Sequence, residues 1–301
     1  MSDLATRLGH SADDRLLIVN ADDYGMSRSA NLGITSLLRA GAISSATVMT
    51  PCPWAPAAVA QAVEGGYDVG VHLTLTSEWE GYRWGPVTRD RSVASLVDDT
   101  GHFPRDCATF ERDADPEEVR AEIANQIRKA IALGLDPSHA DNHMGSLYGL
   151  ATGRHFLEET LDVCAEFGLP FRLPRSLEGS GAPAELEPLA RAFAELADAK
   201  GVEIIDRLWT LPFELAEGED QAAVREQLIE LLRSLRPGVT ELYIHPFQAT
   251  SELRAIMPHW AKRAMELDLF TDPEVREVLA TEDITLIGWL DLRALQRAAR
   301  G

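Results

Sequence analysis

The sequence predicts an α/β fold: a distorted (β/α) barrel, TIM-barrel-like, with parallel strands inside and helices around them. Three observations lead there. Short β-rich runs alternate with amphipathic helical segments along the chain. The first run, residues 16–20 (LLIVN), is continuously apolar, as a strand buried on both faces of a parallel sheet must be. Ionisable residues then collect where such strands would end, which is where barrel enzymes keep their chemistry.

Residues 1–14 are polar, lack the apolar segment of a signal peptide and are expected to be flexible. After the first strand, Ser27 or Ser29 can cap a helix running through Leu38, with Gly41 ending it. Strands are expected at 43–49 and 68–75. Residues from about 77 to 114 are rich in aromatic, Asp and Arg residues and poor in periodicity, and read as an inserted loop of functional type. Asp115-Pro116 opens the clearest helix, with Val119, Ile123, Ile127 and Ile131 on one stripe and Gly134 as its stop. A short strand then leads into His139-Ala140-Asp141-Asn142-His143, and further strands are expected at 171–173, 202–205, 241–244 and 284–287. Gly179–Ala182 (GSGA) reads as a flexible joint. Eight such runs favour one closed or nearly closed barrel domain over 1–301, with an open parallel sheet as the alternative.

Composition narrows the function. The chain has 301 residues, 45% hydrophobic and 25% charged, within the ordinary globular range. A formal net charge of -20 argues against a grip on nucleic acid or anionic lipid, which needs clustered cations. Three cysteines without CxxC spacing indicate neither a disulfide framework nor a zinc knuckle. No stretch approaches the ~18 apolar residues of a membrane span, so cytoplasm is the default and no membrane insertion is expected. A homo-oligomer is left open.

The candidate site comes from the strand ends. Asp22 and Asp23 follow LLIVN, His72 falls late in DVGVHLTL, His139, Asp141 and His143 follow the strand after Gly134, and His245 follows ELYI. Neighbouring side chains on a strand point to opposite faces, so Asp22 and Asp23 share a site only where the strand breaks; Gly25 supplies the freedom for that. One carboxylate and two imidazoles suit a divalent metal with positions left open. Asp23, His72 and His143 supply such a set, and Asp22 stays free as a base. His139 is an alternative ligand to His143, with support of the site the preferred reading; Asp141 reads as a partner orienting an imidazole. Trp79, Tyr82 and Trp84 are candidates for stacking on a sugar, against an equal prospect of closing a small core beneath the loop. Arg172 and Arg175 are candidates for clamping substrate or orienting Asp22, against a surface ion pair.

These residues bring a family resemblance. Asn20-Ala21-Asp22-Asp23-Tyr24-Gly25, Val71-His72-Leu73-Thr74, His139-Ala140-Asp141-Asn142-His143, Phe171-Arg172-Leu173-Pro174-Arg175 and Glu241-Leu242-Tyr243-Ile244-His245-Pro246 stand in the order seen in YdjC-like carbohydrate deacetylases. The resemblance implies removal of acetyl from an N-acetylated sugar or oligosaccharide with one divalent metal, Mg or Zn foremost. It implies Asp23, His72 and His143 as ligands, Asp22 as the base acting on the metal-activated water, and His245 as the acid that protonates the leaving amine. The chain departs from the family pattern at Met144-Gly145, where another histidine is common, and at Phe247 after His245-Pro246. The competing functions are another metal-assisted barrel reaction, such as phosphoester hydrolysis or sugar isomerisation, and a non-catalytic sugar-binding barrel. A phosphate substrate would bring a Gly-rich cradle or lysine cluster, and neither is seen near the site.

Overall fold

The computed structural model describes residues 3–180 and 182–299. Its elements run α1 (Leu4–Arg7), β1 (Arg15–Tyr24), α2 (Arg28–Ala40), β2 (Ser45–Val48), α3 (Ala55–Gly65), β3 (Val69–Leu73), α4 (Cys107–Asp113), α5 (Pro116–Ala132) and β4 (Ala140–Asn142). They continue through α6 (Leu157–Phe167), α7 (Glu187–Lys200), β5 (Arg207–Thr210), α8 (Gln221–Arg233), β6 (Gly238–Ile244), α9 (Ser251–Ile256), α10 (Trp260–Leu269), α11 (Pro273–Thr281), β7 (Ile284–Leu286) and α12 (Trp289–Ala298).

The strands order themselves β4-β3-β2-β1-β6-β5, every pairing parallel. One edge of β1 is paired with β6 from Arg15 to Ala21, so β7 and β2 divide the other: β7 beside Arg15–Leu17, β2 beside Asn20–Tyr24. The free edges of β4 and β5 are joined by residues 170–176. Phe171 bridges Ala140 and Pro174 bridges Ile205, with Arg172 N–H donating to Ala140 O and Arg175 N–H to Ile205 O. The sheet therefore curls into a distorted barrel, thinnest along that seam.

Local chemistry explains most boundaries. Ser27 Oγ accepts from Ala30 N–H and starts α2, and Gly41 ends it in the left-handed region at φ 61°. Asp115 caps α5 with Pro116 in its first turn. On α5, Val119, Ile123 and Ile127 are buried, but Ile131 is exposed. The 3.6-residue period drifts, and Ala130 takes the last inward position.

Three expectations need correction. Residues 171–173 and 202–205 form bridges rather than regular strands. Pro174 has no N–H to extend a ladder, and the pairing with β6 is taken up at Arg207–Thr210 instead. The start of the chain, read as flexible, holds α1, whose Leu4 and Ala5 are buried with Ile18, Val239 and Trp289 near the starts of β1 and β6, on the strand face that also carries Asp22 and Glu241. Of the GSGA joint, Gly181 lies outside the described residues. Among the described residues no helix is long and apolar enough to cross a membrane.

Candidate metal centre

The break that brings Asp22 and Asp23 together falls on Asp23 itself. Its φ is 66°, in the left-handed region that Asp tolerates better than most residues, and the β1–β2 register shifts between Ala21 and Tyr24. Without that kink the two carboxylates would face opposite sides of the sheet. Gly25 follows at φ 85°, where a Cβ would meet the Ala55 backbone at 2.8 Å, so the turn also needs glycine for space. The end of β4 is bent in a similar way: Met144 (φ 56°) and Gly145 (φ 69°) turn the chain directly after His143.

Two imidazoles converge on one oxygen. His72 Nε2 and His143 Nδ1 each lie 3.3 Å from Asp23 Oδ1. Their far nitrogens are engaged by acids: His72 Nδ1 donates to Asp141 Oδ1 (2.7 Å) and His143 Nε2 to Glu78 Oε2 (3.0 Å). An imidazole whose outer N–H is held by a carboxylate presents its inner lone pair in a fixed direction, the usual arrangement of metal-binding histidines. Burial disfavours charge on His72, yet Asp141 and Asp22 outweigh it and raise its pKa to about 9. Burial also opposes charge on His143, and Glu78 and Asp23 lift it well above the ordinary value. Positive charge is what this acid-rich cluster attracts.

A second group, Asp22, His72 and Asp141, also comes within ligand distance. Its acids are already satisfied by protein. Arg172 donates from Nη1 and Nη2 to the two oxygens of Asp22 (both 2.7 Å), from Nε and Nη2 to Glu241 Oε1 (3.0 and 2.8 Å), and lies 2.9 Å from Asp141 Oδ2. Asn20 and Thr47 complete the ring, donating to Asp22 Oδ1 (2.9 Å) and Asp141 Oδ2 (2.8 Å). Asp23 Oδ1, by contrast, is buried without a well-formed hydrogen bond. An orphaned buried carboxylate oxygen beside two oriented imidazoles fits a cation far better than an acid already clamped by arginine. Burial alone would raise the Asp22 carboxyl; Arg172 and His72 reverse this and hold it below the ordinary carboxylate value. It stays ionised.

The cluster floors a cavity of about 490 Å³ that also takes in Trp79, Asn142, Arg172, Tyr243 and His245. His245 follows β6; its backbone N–H donates to Glu266 (2.5 Å) and its Nδ1 lies 3.9 Å from the same carboxylate. Burial and the Arg263 guanidinium hold its pKa below 6.5, against the opposing pull of Asp23, Glu266 and Asp22.

Other sequence candidates fall elsewhere. His139 shares a face with Asp141 but sits two residues, roughly 6–7 Å, nearer the start of the strand. It stacks on Trp289 (4.4 Å, 7° between planes) with Nδ1 against Ser138 Oγ, and touches no candidate ligand. Trp84 is buried, donating to Thr76 O and meeting the His143 ring edge-on at 6.0 Å, so it packs the loop and offers no face to the cavity. Tyr82 donates to Met26 O. Trp79 does line the cavity. Arg175 turns away to a two-pronged pair with Asp198 (2.9 and 2.7 Å) and lines a separate surface hollow. Arg172 borders the cavity, but its hydrogens are spent on acids. Sequence reasoning missed Glu78 and the clamp partner Glu241. Glu241 carried a signal, an acid inside an otherwise apolar strand; Glu78 carried none.

Residues 16–281 match the model of a family described as YdjC-like protein. The carbohydrate deacetylase of Thermoanaerobacter pseudethanolicus is 28% identical over 282 residues, covering 93% of this chain and 100% of the relative. That of Thermus thermophilus is 33% identical over 279 residues, covering 92% and 94%. Among solved structures, a protein of Enterococcus faecalis V583 thought to cleave cellobiose phosphate superposes with a TM-score of 0.74 at 26% identity, covering 93% of this chain and 99% of that one.

Proposed function

This chain belongs to the YdjC-like family, and we propose that it is a carbohydrate deacetylase, hydrolysing the linear amide of an N-acetylated sugar. The observation that carries the reading is the division of labour between two adjacent acids. Asp23 offers an unpaired oxygen to two oriented imidazoles, while Asp22, one residue away, is held ionised by Arg172.

We infer Asp23, His72 and His143 as the ligands of one divalent ion. Two imidazoles in the set favour zinc over magnesium, which prefers oxygen ligands. The ion, when bound, supplies Lewis acidity and brings the pKa of water to about 7. Asp22 Oδ2 lies 4.0 Å from His72 Nε2, close enough to the ligand set to take a proton from an attacking water. Its two hydrogen bonds from Arg172 fix the direction in which it can accept. His245 lines the same cavity and is the candidate to deliver a proton to the departing amine. A binding protein would need ligands but neither a base nor an acid.

Phosphoester hydrolysis fits less well. Among the residues lining the cavity the one arginine or lysine is Arg172, already committed to three carboxylates. A metal-replete panel of N-acetylglucosamine, chitooligosaccharides, lipid-linked N-acetylated amino sugars and sugar phosphates tests the reading. Acetate release is expected, and phosphate release without acetate would contradict it.

A further inference from the structure

We propose that the sugar handled here carries a hydrocarbon aglycone, which lies along an apolar wall continuous with the polar floor. The inference rests on the deacetylase reading and names the substrate class of the same site. The cavity is lined by two unlike sets of side chains. Every acid and imidazole among its lining residues belongs to the floor, at Asp22, Asp23, His72, Glu78, His143 and His245. The same lining includes Leu150, Leu177, Leu189, Phe193, Leu208 and Phe213, none with a side-chain donor or acceptor.

This wall is not simply core showing through. Leu150 is 66% exposed, Phe213 44% and Leu189 41%, and all three border this one cavity. Large apolar side chains left in water together, beside a polar centre, mark a binding surface. Phe213 joins the two sets: its ring meets His245 edge-on at 5.4 Å and is capped by the Arg263 guanidinium at 4.2 Å. A second sugar ring placed here would bring hydroxyls to a surface that cannot pair with them and would lose their hydration. A hydrocarbon chain would lose only unfavourable contact with water. Continuity with the floor favours substrate over a second copy of the chain as the occupant.

The test is a series of methyl, butyl, hexyl and octyl β-glycosides of N-acetylglucosamine, kept below micelle-forming concentrations, beside N,N′-diacetylchitobiose. For acetate release by the metal-loaded enzyme, kcat/KM is expected to rise about three- to fourfold per methylene that enters the wall. Leu189→Asn is expected to lower the octyl-to-methyl ratio, a quantity insensitive to the fraction of folded enzyme. Calorimetric binding of the same glycosides to Asp22→Asn separates the two readings. Affinity that climbs with chain length without acetate release from wild type supports the wall and overturns the deacetylase. Acetate release that is flat across the series, or best on the chitobiose, overturns the wall alone. A flat series together with a dimer that Leu189→Asn dissociates assigns the wall to a second copy and likewise overturns it.

Discussion

Both ends of the barrel hold buried aspartates, and they are used in opposite ways. At the starts of strands, Asp68 precedes β3 and accepts Leu290 N–H (2.9 Å), and Asp206 precedes β5 and accepts Val239 N–H (2.8 Å). These carboxylates tie backbone, stitching α12 and β6 to the bottom of the barrel. At the ends of strands, Asp22 and Asp23 answer to side chains, one to a guanidinium and the other to two imidazoles. The same residue type is therefore structural where it satisfies the main chain and chemical where it faces a cavity. Position along a parallel strand decides which.

Three substitutions sharpen or break this comparison, from the largest effect to the smallest. Arg172→Gln leaves Asp22, Asp141 and Glu241 buried without their shared cation, and should lower the unfolding free energy by about 3–5 kcal/mol in urea titrations. Unchanged stability would mean that the acids at the strand ends do not depend on the clamp.

Asp68→Asn tests the other end. Burial pushes the Asp68 carboxyl up to about 6 from 3.8, so folding favours its protonated form. The stability it contributes is full below about pH 4 and is lost as the pH rises through 6, a difference of about 3 kcal/mol. The variant lacks this loss. Its stability relative to wild type should therefore improve by about that amount between pH 4 and pH 7, with acetate release unchanged. A loss of turnover would break the distinction between the two ends.

Glu78→Gln removes the charged partner of His143 while keeping the shape. Metal affinity should fall roughly 10–100-fold, as for other partners of ligand histidines, which calorimetric metal titration can read directly.

The same comparison shows what sequence could disclose. Asp22-Asp23, His72, Asp141 and His143 were legible because an ionisable residue at the end of an apolar run has no structural reason to be there. Asp23 as the hinge was not, since a glycine two residues on is the more obvious source of freedom, and a positive φ at Asp leaves no mark in composition. Glu78 was hidden because a loop brings it to His143, 65 residues on, and loops have no period to read. Trp79 and Trp84 look alike in sequence and part company only in space, one at the cavity and one under the loop. Residues 171–173, within the seam at residues 170–176, were overread as a strand because their apolar side chains fit one, although Pro174 limits the pairing. His139 stands on the face of Asp141 one layer down, a difference of depth that alternation cannot convey. The apolar wall draws on α7, β5 and loops far apart in the chain, and nothing in the sequence marks their leucines as sharing one cavity.

The central claim is that the two neighbouring aspartates do different work, and one paired measurement tests it most directly. Wild type, Asp22→Asn and His72→Ala are titrated with zinc by calorimetry and assayed in parallel for acetate release from an N-acetylated glycoside. Asp22→Asn should bind metal in the wild-type range and lose turnover by about 10²–10⁴-fold, the usual contribution of a general base; His72→Ala should lose both. Asp22→Asn with wild-type turnover, or with metal binding lost and Asp23→Asn binding intact, would contradict the assignment.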